Sequence, residues 1–229
     1  MIELHQFAPA FGLMNPSPFC MKVEVFLKLA GLPYRCVTAN PLKAPKGKLP
    51  VLHDGVVVPD SEEIIAYLQT AYGGQIPHAL AVPETPRHLA VRRLLEDHLY
   101  FAALHLRWVE PAGWQHTRRL FDGLPPLLRP LVATAMRRKI RRDLLGQGTG
   151  RHSRAEICAG AIADLDALAA LLAGRAYFGG DEPAAIDASA YAMLANLLWA
   201  PMDHPVRSHA QALPPLVAYA ERMKARVGC

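Results

Sequence analysis

Few features of this chain suit a membrane span, a disulfide framework or a bound metal. No apolar run of about 18 residues occurs along its 229 positions, which argues against a spanning helix. The four cysteines, Cys20, Cys36, Cys158 and Cys229, are too scattered for a disulfide scaffold or paired metal ligands. A reduced, cytoplasmic setting is the reading they favour. The N-terminal Met1-Ile2-Glu3-Leu4-His5 lacks the basic stretch of a secretory signal. His98 and His105 fall on one helix pattern without a third ligand, so no metal is expected. Neither a Gly-x-Gly-x-x-Gly motif nor a phosphate loop is present, and no segment repeats.

What is present is a chain rich enough in apolar residues, at 52%, to bury a sizeable core. Its net charge of +5 is unevenly spread. Residues 1–80 balance six Lys/Arg against six Asp/Glu, whereas residues 118–154 hold ten Lys/Arg against Asp122 and Asp143 alone. The densest part is Met136-Arg137-Arg138-Lys139-Ile140-Arg141-Arg142. This pattern fits a solvated helix face, an anionic partner or an acidic membrane surface. Nucleic acid is not expected, because the segment has no interleaved aromatics for base stacking.

Two regimes of periodicity divide the chain. Residues 1–74 alternate strand and helix signals. Ile2–Phe7 alternates as a strand, Pro18 opens a helix ending at Gly31, and Tyr34–Thr38 reads as a second strand. Val51–His53 and Val56–Val58 flank Asp54-Gly55 as a hairpin, and Asp60 with Glu63 starts the next helix. The order β-α-β-β-β-α predicts a small α/β domain with a mixed sheet. Residues 75–86, punctuated by Pro77, Pro83 and Pro86, read as a linker. From 87 to 229 the pattern is helical throughout. Val91, Leu94, Leu95, Leu99, Ala102 and Leu106 share one face, Ser153 and Glu156 form a capping box, and further helices fall near 184–198 and 212–227.

The residues with chemical potential cluster at the joints of the first domain. Ser17 precedes a helix, where unpaired N–H groups and a hydroxyl can stabilise a thiolate; it also suits a plain cap. Cys20 follows at Cys-x-x-Cys spacing with serine in the first place, which rules out a two-thiol cycle. It reads either as a buried, inert thiol or as the reactive thiol of a reductase or peroxidase. Leu49-Pro50 precedes a strand; a cis bond there would turn the Leu49 backbone outward to pair with an extended ligand. Asp60 and Ser61 open a helix and suit an ammonium and a carboxylate, or simply a cap. Lys46 and Lys48 lie where a second carboxylate would sit.

Ser17-Pro18-Phe19-Cys20-x-Lys22-Val23-Glu24, Pro45-Lys46-Gly47-Lys48-Leu49-Pro50 and Asp60-Ser61-x-x-Ile64-Ile65-x-Tyr67-Leu68 resemble the thioredoxin-like domain of glutathione transferases. With Gly148-x-Gly150-Arg151-His152-Ser153 and Tyr177-Phe178-x-Gly180-Asp181, the chain is most similar to the branch of metaxins and "failed axon connections" proteins. The resemblance implies a thioredoxin-like domain followed by an all-helical one. It also implies glutathione as co-substrate, Ser17 as the thiolate's hydroxyl, and Leu49-Pro50, Lys48, Asp60 and Ser61 as its binding residues. Tyr100, Phe101, Leu104 and Trp108 would hold a hydrophobic electrophile. A homodimer is implied in the same way. Metaxins are membrane-anchored import components; this chain shows no anchor, so a soluble relative is expected. The rival implications are a non-catalytic binding or assembly module, or a glutathione-dependent reductase or peroxidase using Cys20. Asp187 matches an aspartate that orders a core helix, but Ala184 stands where Ser or Thr would complete its capping box.

Overall fold

The computed structural model describes residues 1–172 and 174–228; Cys229 lies outside them. The first six elements appear in the expected order. They are β1 (Ile2–Gln6), α1 (Pro18–Ala30), β2 (Tyr34–Thr38), β3 (Val51–His53), β4 (Val57–Pro59) and α2 (Ser61–Tyr72). The sheet order is β2-β1-β3-β4, parallel between β1 and β2 and antiparallel elsewhere, with Leu4 opposite both Cys36 and Leu52. Such a mixed sheet needs a crossover between its parallel strands, and α1 supplies it. Gly31 ends α1 in the left-handed conformation, φ 67°, that glycine adopts without penalty. The hairpin turn is one residue longer than Asp54-Gly55 alone suggests. His53 pairs with Val57, which leaves Val56 in the loop with its carbonyl accepting from Asp54 N–H.

The expected linker is partly structured. A short helix, α3 (His78–Ala81), buries Leu80, and Gln69 Nε2 donates to the Leu80 carbonyl at 2.7 Å. Next come α4 (Pro86–Arg93), a π-helical turn (Leu94–Leu99) and α5 (Tyr100–Trp108). The π turn interrupts what reads as one continuous helix. Val91, Leu95 and Leu99 recur every fourth position, wider than an α-helical turn, and π winding keeps all three buried. It also turns Glu96 inward.

The remaining helices are α6 (Pro111–Thr117), α7 (Arg129–Gln147), α8 (Arg154–Leu172), α9 (Ala185–Leu198), α10 (Pro205–Gln211) and α11 (Pro214–Val227). Helix α8 starts with the expected capping box: Glu156 N–H donates to Ser153 Oγ, and the Glu156 carboxylate accepts from Ser153 N–H at 2.8 Å. Helix α9 is apolar almost all round and is buried from Ile186 to Leu198, as such a helix must be. Ala184 offers no side-chain acceptor at its start. The buried Asp187 carboxylate compensates by accepting from the N–H groups of Phe178, Gly179 and Ala184 at 2.8–2.9 Å and from the Tyr219 hydroxyl at 3.0 Å. Helix α1 packs directly on α9, so the sheet domain and the helical domain share one core.

Candidate functional site

Three backbone segments meet at one end of the sheet, beyond the C-terminal ends of β1 and β4 and the N-terminal end of β3. The first is the start of α1. Ser17 is its cap, with Oγ accepting from Cys20 N–H at a long 3.4 Å. Asn15 sets up the turn before it: its Oδ1 accepts from Ser17 N–H at 3.0 Å while its Nδ2 donates to the Phe7 carbonyl at 2.7 Å. The second is the Leu49–Pro50 bond, which is cis. Leu49 packs against Cys20 and Val51, and among the described residues its backbone N–H and C=O make no hydrogen bond. The third is the start of α2. Asp60 N–H donates to the Pro50 carbonyl at 3.3 Å, and Asp60 Oδ1 caps the helix through Glu62 N–H at 3.2 Å.

Among the described residues, Asp60 is one of two non-glycine residues with positive φ, at 87°. That conformation costs on the order of 1–3 kcal/mol and tends to mark a working position. Ser61 is buried beside it. Lys48 and Asp60, which the sequence assigns to opposite ends of a ligand, pair with one another: Lys48 Nζ lies 2.6 Å from Asp60 Oδ2. Partial burial raises the Asp60 pKa, but the hydrogen bond and charge of Lys48 outweigh it and leave the carboxyl below its ordinary value. The lysine is 61% exposed, so the pair holds Asp60 by only about 0–1 kcal/mol and opens easily. Lys46 is exposed and adds only a more distant charge.

Cys20 is fully buried, and burial pushes its thiol up to about 12, against a partly offsetting hydrogen bond from Ser17. A redox thiol needs an exposed sulfur with a lowered pKa; Cys20 has neither. Treating the native protein with an aromatic disulfide reagent at neutral pH should therefore leave Cys20 unlabelled, with labelling appearing only after denaturation. Mass spectrometry of the tryptic peptides reads this directly, and rapid native labelling would return Cys20 to the list of reactive groups.

The loop that carries Ser17 is clamped from the helical side by residues that local sequence patterns miss. Arg107 on α5 donates to the Pro16 carbonyl at 2.6 Å and to Asn196 Oδ1 at 3.1 Å. Asn196 on α9 in turn donates to the Asn15 carbonyl at 3.3 Å. These acceptors are neutral, and burial of the Arg107 guanidinium pulls its pKa down to about 10. A lone asparagine inside the apolar run of α9 was the available signal. A cavity of about 30 Å³ opens beside this clamp, lined in part by Pro18, Tyr100, Leu104, Arg107 and Asn196. Of the four residues expected to hold a second substrate, Tyr100 and Leu104 line it. Phe101 reaches it only through an edge contact with Tyr100, and Trp108 packs instead on Trp114 and Phe121.

A buried ionic network fixes the two domains beside the site. Lys22, one turn into α1 and 1% exposed, pairs with Glu62 of α2 and with the buried Glu96 of the π turn, the latter at 2.7 Å. Arg92 joins Glu62 at 2.8 Å and Glu84 at 2.7 Å. Among the described residues, no group of three His, Cys, Asp or Glu side chains could hold a metal ion, and no helix is long and apolar enough to cross a membrane.

Comparison with known proteins places this geometry. The glutathione S-transferase N-terminal domain family matches residues 18–113, and the glutathione S-transferase C-terminal domain family matches residues 161–223. The isoprene-epoxide–glutathione S-transferase of Rhodococcus sp. (strain AD45) is 32% identical, over 98% of each chain. Failed axon connections of Drosophila melanogaster is 30% identical over 98% of this chain and 57% of its own length, and metaxin-1 of Mus musculus is 27% identical over 95% and 72%. Among solved structures, glutathione transferase GSTFuA3 from Phanerochaete chrysosporium superposes with a TM-score of 0.69 at 19% identity, covering 98% of this chain and 96% of that one. The Ceriporiopsis subvermispora glutathione S-transferase CsGST63524, in complex with glutathione, superposes at 0.65 and 19%, with the same coverage. The chain belongs to the glutathione S-transferase superfamily, beside its metaxin and Failed axon connections branch.

Proposed function

We propose that this protein is a glutathione transferase that joins glutathione to a small hydrophobic electrophile. The observation that carries the reading is the meeting of the α1 N-terminus, the cis Leu49–Pro50 bond and the α2 N-terminus, with the Leu49 backbone left unpaired. Leu49 N–H and C=O would pair with the cysteinyl unit of glutathione as an added strand. The carboxylate of the γ-glutamyl end would sit at the N-terminus of α2 with Ser61, and its ammonium at Asp60 once Lys48 lets go. That puts the sulfur at the tip of α1, where the Ser17 hydroxyl donates to it and the helix dipole favours its anion. The thiolate then attacks an electrophilic carbon. With an epoxide, the S–C bond forms as the C–O bond breaks, and the alkoxide takes a proton from water. The electrophile would enter beside Tyr100 and Leu104, which line the cavity next to Pro18 at the tip of α1. The Rhodococcus relative is named for an epoxide substrate, which makes a small epoxide the first electrophile to test. A homodimer acting in the cytoplasm belongs to the same reading, and rests on superfamily resemblance.

A second reading, a non-catalytic binding or assembly module, draws on the Lys48–Asp60 pair at the γ-glutamyl position and on the metaxin relatives. Glutathione binding separates the two. A ligand present at 100 times its Kd stabilises its protein by about 2.7 kcal/mol. For a chain of this size that is a rise in Tm of roughly 5–10 °C. The transferase reading expects this shift with millimolar reduced glutathione, together with turnover of a small epoxide followed by thiol loss. An unchanged melting curve and no turnover favour the module.

A further inference from the structure

Helix α7 is the least buried of the long helices: of its nineteen residues only Ala133 and Leu144 are buried. Its inner face is nevertheless pinned. Arg137 donates from Nε to the Trp108 carbonyl at 2.9 Å and from Nη2 to the Val109 carbonyl at 2.7 Å, and its guanidinium lies 4.8 Å from the centre of the Trp114 ring. The rotation of the helix is thereby set, and with it the face turned to solvent.

That outer face follows the three-to-four spacing of a single helical stripe. Its first half is aliphatic, with Leu128 at 51%, Leu131 at 67% and Val132 at 39% exposure, preceded by Leu127 at 86%. Its second half is cationic, with Arg138, Lys139 and Arg142 all exposed. Isolated exposed leucines are ordinary, but four adjoining aliphatic side chains mark a surface that something covers. We propose that the outer face of α7 docks on an anionic lipid bilayer.

Charge complementarity selects that partner. Around the stripe the carboxylates are few and already engaged: Asp143 lies 2.6 Å from Lys139, and Asp122 lies 3.3 Å from Arg129. A second copy offering the same face would add its own cations to an excess that these two carboxylates do not neutralise. A nucleic acid would satisfy the cations yet leave the leucines in water, because the stripe has no aromatic ring to stack on a base. A bilayer answers both halves. The leucines enter the boundary between headgroups and acyl chains, and the cations lie at the level of anionic headgroups. The contact is peripheral and independent of the glutathione site, so failure of either reading leaves the other standing.

The test is flotation of the full chain with phosphatidylcholine vesicles, with and without one-third phosphatidylglycerol. Binding to the anionic vesicles should exceed binding to the neutral ones by about tenfold or more, and should fall as salt is raised from about 0.1 M to about 1 M and screening sets in. Leu127→Ser/Leu131→Ser should lose vesicle binding while keeping the melting temperature of the parent, since both side chains are solvent-exposed. Arg138→Glu/Lys139→Glu/Arg142→Glu should lose it as well. Equal binding to both vesicle types, or none, overturns the proposal. So does vesicle binding that survives the leucine substitutions, a duplex DNA probe bound as well as the anionic vesicles, or a solution dimer abolished by the same leucine changes.

Discussion

Replacing Lys22 with methionine is expected to cost about 3–5 kcal/mol of stability, the usual result of removing one partner from a buried ion pair. The reason lies in Glu96. Its carboxylate is buried in the π turn, 2.7 Å from Lys22 Nζ, and methionine would leave it without its hydrogen-bonded cation. Glu62 is less affected, being 40% exposed and also paired with Arg92. Surface pairs such as Arg93–Asp97 should by contrast contribute well under about 1 kcal/mol. A thermal melt should show Lys22→Met some 10 °C below the parent, at roughly 2–4 °C per kcal/mol for a chain of this length. The double variant Lys22→Met/Glu96→Met removes both charges, and it should recover most of the loss, since an apolar pair of similar volume replaces a buried ion pair at little cost. A single variant that melts like the parent would show that Glu96 is hydrated rather than dry.

That network also shows what the sequence could and could not reveal. The cap at Ser17, the helix stop at Gly31, the Asp54-Gly55 hairpin and the start of α2 at Asp60 depend on chemistry within a few residues, and they read correctly as fold elements, though the hairpin's second strand starts one residue later than read. The Lys22–Glu96 pair joins positions 74 residues apart, and no local pattern announces it. The clamp from Arg107 and Asn196 onto the loop before Ser17 crosses about ninety and more residues and was invisible for the same reason. The π turn escapes the sequence because a repeat of four over two turns is easily absorbed into a period of 3.6. Lys48 and Asp60 read as serving separate partners; their closeness follows from the β3–β4 register, in which Val51 pairs with Pro59. Trp108 carries the right chemistry for an electrophile site but points to the α6 side, which only the rotation of α5 decides.

If Ser17 is the thiolate's donor, Ser17→Ala should lower kcat/KM for conjugation at neutral pH by roughly 10- to 100-fold, from the about 1.5–3 kcal/mol of a hydrogen bond to a charged group. The sign follows from which form the hydroxyl stabilises. A donor to the thiolate depresses the thiol pKa, so the alanine variant should titrate higher by roughly 1–2 pH units, back toward the about 8.5 of a free cysteine. The deficit should therefore narrow as pH rises past the shifted inflection, where both enzymes hold the thiolate. KM for glutathione should change little, because Leu49, Asp60 and Ser61 carry its binding in this reading. Loss of the cap bond to Cys20 N–H would lower stability by about 1 kcal/mol. That bond is already stretched to 3.4 Å, so even the full cap loss could not mimic a pH-dependent rate effect. Ser17→Thr, which keeps the hydroxyl, should retain most of the rate. A parent and alanine variant with superimposable pH–rate profiles would take Ser17 out of the chemistry and leave the α1 N–H groups to act alone.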